Sequence, residues 1–304
     1  MKSRKIFAFT GLCLVVGLAI FGIYHKNKSA QSTANLQVTA SFYPLYDFAR
    51  NVGGSYVTVT NITPAGAEPH DYEPSAQELA RAQQSDVFIY DGGTLEPWAS
   101  KFLTDYPHVA VKASTDVPLK TATIEGKSGV KDPHFWLDPV LAQQIVRNIA
   151  AGFSKADPAH AGAYDRNASA YIAKLQDLDQ QFSAGLSSCQ QHTIITSHEA
   201  FGYVAARYNF TALAIAGLSP DNEPSAGKLA ELTNLARAQN IHYIFFESLV
   251  SPRLADTIAQ EVGAKTLVFD PLEGLTNEAQ KQGQNYISVQ RQNLAALRTA
   301  LACQ

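Results

Sequence analysis

From Leu36 onward, short apolar runs alternate with longer stretches whose apolar residues recur at helical spacing. Leu36–Ala40 alternates like a strand, and residues 42–52 place apolar side chains three and four apart until Gly53-Gly54 ends the pattern. Residues 56–62 alternate again, residues 86–90 form a short apolar run, and Val109–Lys112 reads as a fourth strand. Between these runs, Ser75-Ala76-Gln77-Glu78 is a capping box for one helix. Gly92-Gly93 turns the chain toward another helix around residues 98–103. Strands and helices alternating at such short spacing predict βαβ units and a parallel sheet.

Between Asp138 and Ser188 the strand signal vanishes. Asp138-Pro139 and Asp157-Pro158 each place a cap before a proline at the first helical position. Beyond the second pair, Tyr164, Ala168, Tyr171, Ile172, Leu175, Leu178 and Phe182 keep helical spacing. A helix over 159–186 would be about 42 Å long, a stiff strut joining two lobes. The second half then repeats the first. Strands are expected at Thr193–Thr196, 211–215, Tyr243–Phe246 and 266–269. Helices are expected at 199–208, from the Ser225 cap to 238, after Ser251-Pro252, and from about 284 to 301. The pattern divides the chain into an anchor and spacer (1–35), an N-terminal α/β lobe (36–138), linking helices (139–188) and a C-terminal α/β lobe (189–304).

With 46% hydrophobic and 17% charged residues over 304 positions, the chain is long and apolar enough for two cores. A net charge of −3 offers no basic face for nucleic acid. Lys2, Arg4 and Lys5 precede an uncharged run over 6–24, with Lys26 and Lys28 beyond it, as in a secretory signal or a single membrane anchor. Cys13 follows Leu12 in the middle of that run, where a lipid-modified cysteine would want small residues before it. Ser32-Thr33-Ala34 resembles a cleavage site but lies far from the run, which favours an uncleaved anchor. In either case the folded part lies outside the cytoplasm. There Cys189 and Cys303 could tie the C-terminal tail to the start of the second half; the alternative is two separate buried thiols.

Three histidines stand in unusual company. His70 lies in Gly-Ala-Glu-Pro-His-Asp-Tyr-Glu-Pro-Ser, braced by Pro69 and Pro74, which restrict Glu68 and Glu73 to extended backbone. His134 lies in Asp-Pro-His-Phe-Trp-Leu-Asp-Pro, again behind an acid and a proline. His198, in Thr-Ser-His-Glu-Ala-Phe-Gly, follows an apolar strand. Asp270 leaves a later strand. Neutral imidazoles completed by a carboxylate are a common metal-binding set. In open α/β sheets the crevice forms at the carboxyl ends of the strands. Two lobes facing each other would put His70 and His134 on one wall, His198 and Asp270 on the other. A lone loop histidine is ordinarily solvated or hydrogen-bonded, and His25, His108, His160, His192 and His242 read that way. His198-Glu199 opens like a zinc-protease helix, but Gly202 stands where the second histidine belongs. Ser197, His198 and Glu199 are neighbours in sequence, which does not make a nucleophilic triad.

The phrases Pro-His-Asp-Tyr-Glu-Pro at Pro69, Asp-Pro-His-Phe-Trp-Leu-Asp-Pro at Asp132, Ser-His-Glu-Ala-Phe-Gly-Tyr at Ser197 and Phe-Asp-Pro-Leu-Glu-Gly at Phe269 occur in one order. Together they resemble the zinc/manganese solute-binding proteins of ABC importers, over essentially the whole chain from Leu36. The resemblance implies an α/β fold of two (β/α)4-type lobes with parallel sheets, joined by one long rigid helix, with metal in the cleft. The matching positions are His70, His134, His198 and Asp270. Glu273 matches another form of the family's variable fourth position, and Asp270 is favoured because it sits at the strand end. Residues 120–131 hold no histidine, so the accessory His-rich loop of some zinc members is absent.

The expected function is extracytoplasmic capture of a divalent metal by a monomer and its delivery to an ABC permease subunit. Zn2+ is preferred, because three imidazoles and one carboxylate suit four-coordinate zinc and a histidine at the third position resembles the zinc members. Mn2+ (or iron) is the alternative within the family. A zinc hydrolase, with Glu199 or Glu73 as base, is the competing class; Asp270 would close the open position such an enzyme needs. Nothing in the sequence speaks for an adhesin.

Overall fold

The first four apolar segments pair as a parallel sheet. The computed structural model describes residues 35–124 and 127–304, and in it β1 (Leu36–Ala40), β2 (Val57–Asn61), β3 (Val87–Tyr90) and β4 (Val109–Lys112) lie in the order β2-β1-β3-β4. Helices α1 (Tyr43–Gly53), α2 (Ala76–Ala82) and α3 (Ala99–Thr104) connect them. Gly54 ends α1 at φ +58°, a conformation that costs glycine nothing. The capping box at Ser75 forms as expected, with Ser75 and Glu78 satisfying each other's backbone N–H groups.

A short antiparallel hairpin, β5 (Thr121–Ile124) and β6 (Lys127–Lys131), follows. It does not stand out in the sequence: Thr-Ala-Thr-Ile alternates over only four residues, and the return strand Lys-Ser-Gly-Val-Lys is polar with a central glycine. The chain then enters a 3₁₀ turn at His134–Leu137 and α4 (Pro139–Ala156), whose N-cap Asp138 accepts from the N–H groups of Val140 and Leu141. The strut helix α5 (Ala161–Gly185) has 25 residues, so it is about 37 Å long. It starts later than the apolar spacing suggests because Pro158–His160 forms a separate 3₁₀ turn.

The second sheet contains β7 (Thr193–Thr196), β8 (Thr211–Ala214), β9 (Tyr243–Phe246) and β10 (Lys265–Val268), all parallel, in the order β10-β9-β7-β8. Its helices are α6 (Gly202–Arg207), α7 (Ala226–Ala238) and α8 (Arg253–Val262), followed by α9 (Asn277–Lys281) and α10 (Tyr286–Ala300). Counted within each half, both sheets run second-first-third-fourth. The strand order therefore reverses between β1 and β3 in one sheet and between β7 and β9 in the other, where α/β folds open a crevice.

Leu36–Gln304 forms one compact unit. A single apolar cluster runs from Val38 and Phe48 through α4 and α5 to Ile194, Phe245 and Leu297. Smaller clusters line the outer faces, around Ile244 and Leu232 on one sheet and Phe88 and Phe102 on the other. Helix α10 crosses back to the first half: Tyr286 stacks edge-on against Phe48 and donates to the Trp136 carbonyl at 2.6 Å. Gln290 donates to the Leu137 carbonyl at 2.9 Å. Cys189 and Cys303 are joined as a disulfide. The anchor expected over 6–24, with Cys13, His25 and the spacer, lies outside the described residues. Among the described residues no helix is long and apolar enough to cross a membrane.

Candidate metal centre

Each of the three singled-out histidines reaches the crevice from a different loop. His70 lies in the loop beyond β2, with its backbone N–H held by Glu68 Oε1 at 3.2 Å. His134 opens the 3₁₀ turn after β6, and His198 lies two residues beyond β7. Their rings meet. His134 Nε2 is 3.2 Å from His70 Nε2 and 3.3 Å from His198 Nε2. The fourth member is Glu273, whose Oε1 is 3.2 Å from Nε2 of all three histidines. All four candidate donor atoms lie within 4.8 Å of one another.

Asp270, the expected fourth residue, does not join them. Its carboxylate caps its own loop, accepting from the Leu272 N–H at 2.7 Å and from the Ser248 hydroxyl. Asn293 of α10 grips the Asp270 backbone on both sides, at 2.9 and 2.8 Å. Leu272 then takes a left-handed conformation at φ +59°, and the next residue, Glu273, points into the crevice. Leu272 has no freedom to relax, because its side chain is fully buried. Trp136 Nε1 donates to the Pro271 carbonyl at 2.8 Å, tying the His134 turn to the Glu273 loop. Burial raises the Asp270 pKa to about 6, against the pull of Ser248 and the Leu272 N–H.

Two further carboxylates, not assigned from sequence, set the histidine tautomers. Asp132 Oδ1 accepts from the His134 N–H at 2.9 Å and faces His134 Nδ1 at 2.8 Å. Glu247 Oε1 faces His198 Nδ1 at 2.7 Å. Glu247 follows β9 directly, and β9 pairs with β7, so the strand reversal itself sets Glu247 beside His198. A signal was present in sequence: an acid immediately after a buried strand run. A carboxylate facing Nδ1 keeps the proton on that nitrogen, so loss of the second proton turns the Nε2 lone pair of His134 and His198 toward the crevice.

Charge follows the same pattern. Burial disfavours charge on His134 and His198, yet the facing carboxylates outweigh it, and both rings hold protons above the ordinary histidine range. Among the described residues no such carboxylate faces His70 Nδ1, and burial lowers its pKa despite Glu273. Glu273 is deeply buried, but the surrounding imidazoles hold its pKa well below the carboxylate range. Glu68 is pushed up to about 8, first by burial and then by the Glu273 charge. A cation entering the cluster must displace protons from the rings, and it replaces them as the counter-charge to Glu273.

The spacing fits a four-coordinate ion. Nitrogen and oxygen ligands about 2.0–2.1 Å from a tetrahedral centre stand about 3.3–3.4 Å apart. Five of the six separations, at 3.2–3.3 Å, match that figure, and all lie within 4.8 Å. His108, His192 and His242 are exposed, while His160 stacks on Tyr56 and bonds Asp157; none belongs to the cluster. Glu73 and Glu199 are likewise exposed and outside it.

A profile of the family described as zinc-uptake complex component A, periplasmic, matches residues 38–300. The zinc-binding lipoprotein AdcA of Streptococcus pneumoniae is 41% identical over 293 residues, which cover 92% of this chain and 58% of that protein. The high-affinity zinc uptake system protein ZnuA of Bacillus subtilis is 38% identical over 311 residues, covering 96% of this chain and 98% of ZnuA. Among solved structures, the Zn(II)-bound ZnuA-like domain of Streptococcus pneumoniae AdcA superposes with a TM-score of 0.77 at 42% identity, covering 88% of this chain and 99% of that domain. The chain thus spans little more than half of AdcA and nearly all of ZnuA. It belongs to the ZnuA family of zinc-uptake solute-binding components.

Proposed function

We propose that this protein captures a divalent metal ion, zinc in preference to manganese, outside the cytoplasmic membrane and passes it to an ABC permease. One observation carries the reading: three imidazole Nε2 atoms and one carboxylate oxygen converge within 4.8 Å of one another. A nitrogen-rich, four-donor set suits zinc, whereas manganese sites prefer more oxygen. The ligands in this reading are His70, His134, His198 and Glu273. Residues 36–138 supply the first two as one wall of the cleft, and residues 189–304 supply the others. The zinc-related names of AdcA and ZnuA support the same metal.

Four protein donors close the coordination sphere, which suits a carrier. A hydrolytic zinc site keeps a position open for water and a base beside it. We read the protein as a monomeric carrier and not as an enzyme, held at the cell surface or in the periplasm by its N-terminal segment. The His70 side chain is 8% exposed while those of His134 and His198 are fully covered, so the ion enters and leaves past the His70 loop. Leu36–Gln304, stripped of metal and then offered equimolar zinc and manganese, is expected to retain about one zinc per chain. Manganese retained in preference would overturn the choice of metal; retention of neither would overturn the reading.

A further inference from the structure

We propose that Tyr203 is a positioning residue of the metal centre: its hydroxyl locks Asp132, and through it His134, in register with His198. The inference rests on the metal-site reading above and adds a residue that touches no ligand directly.

Tyr203 lies at the start of α6, five residues beyond His198, and is 3% exposed. Its hydroxyl donates to the Asp132 carbonyl at 2.8 Å and accepts from the Lys120 N–H at 2.8 Å. Asp132 N–H in turn donates to the Lys120 carbonyl at 3.1 Å, so Lys120 and Asp132 close the base of the β5–β6 hairpin. Tyr203 therefore clasps both ends of that hairpin. The clasp is reinforced at its rim, where Lys120 Nζ donates to the Gly202 carbonyl at 2.7 Å and lies 5.7 Å from the centre of the Tyr203 ring.

The consequence falls on His134. Asp132 Oδ1 holds both the backbone N–H and Nδ1 of His134, so any freedom in the Asp132 backbone becomes freedom of the ring. The same short segment reaches the remaining loop. Phe201 stacks on Phe269 with ring centres 3.9 Å apart, beside the turn that presents Glu273. Residues 198–203 thus supply one ligand and steady the loops of two others, from opposite walls of the cleft. Ligand geometry depends on such outer partners, whose loss typically weakens metal binding about 10- to 100-fold.

Tyr203→Phe keeps the ring and removes the hydroxyl alone. Tyr208→Phe is its control: this buried tyrosine follows the same helix, and its hydroxyl bonds Asp179, away from the cluster. Full-length chains are titrated with zinc against a competing chelator, and loaded with Co2+ to read coordination from its visible absorption. The expected result is about tenfold weaker zinc binding in Tyr203→Phe, with weakened and broadened four-coordinate cobalt bands. Tyr208→Phe should show the parent affinity and spectrum, whatever its melting temperature. Parent-like affinity and spectrum in Tyr203→Phe would overturn the proposal, as would equal changes in both variants, which would mark general loosening. Absence of zinc binding by the parent chain would overturn the metal-site reading beneath it.

Discussion

At the scale of single residues, the contest is between Asp270 and Glu273, three positions apart on one loop. Proximity to the strand end favours Asp270, but an aspartate there is also the right length to accept from the N–H two residues on. It does so at Leu272, and the left-handed turn that results swings Glu273 into the cleft. Glu273→Ala is therefore expected to weaken zinc binding by on the order of a hundredfold, the upper end of what even outer partners cost. Asp270→Ala should change affinity far less and instead lower stability by about 1–3 kcal/mol, since it leaves the buried Leu272 N–H without an acceptor. Chelator competition and thermal melts on both variants check the ranking; the reverse order would return Asp270 to the site. The histidines were legible because each sits in a braced, acid-bearing phrase. The fourth member of the cluster was not, because its place depends on the handedness of one leucine.

Among elements, most of those announced by local chemistry formed where their signals stand; Asp157 did not cap the strut, because Pro158–His160 forms a separate 3₁₀ turn. Ser75, Asp138 and Ser225 all cap the helices that follow them. Helix α6 starts at Gly202, three residues later than its apolar pattern suggests, because Glu199 bonds the Gly217 carbonyl and Ala200 bonds His198. Those bonds hold the His198 turn open. Asp138 does more than cap: it also pairs with Arg207 Nε at 2.5 Å, joining α4 to α6 across the two halves. Asp138→Ala should cost about 2 kcal/mol, more than an isolated cap, because it also strands a partly covered arginine. Denaturant unfolding measures it, and a loss no larger than a few tenths would mean that solvent already satisfies both partners.

For the whole molecule, the two halves repeat one strand order, and this repetition puts the His198 and Glu247 loops on adjacent strands. The last helix then returns to the first half, where Tyr286 and Gln290 bond the turn that carries His134. The cleft walls are thereby joined through shared packing as well as through the strut. The disulfide closes this circuit at the opposite ends of the strands, since Cys189 precedes β7. Because it spans a sequence separation of 114 residues, replacing both cysteines by serine should destabilise the fold by about 4 kcal/mol while leaving zinc affinity unchanged. Melting curves and zinc titrations of the double variant test this, and a fall in affinity would show that the tail reaches the cleft.

The alternating α/β plan, most helix starts, the long strut and the three histidines were legible along the chain. Each of these is written in residues close together along the chain: periodicity, caps, and prolines beside acids. Packing settled the matching order of the two sheets, the return of α10, the short β5–β6 hairpin and the place of Glu273 in the cluster. It also decided which carboxylate stands behind each histidine. Glu247 is 49 positions from His198 and the Tyr203 hydroxyl 71 from the Asp132 carbonyl, and no local pattern specifies such a pairing. These contacts come from how strands order themselves and how a buried loop satisfies its own backbone, and both are settled when the chain packs.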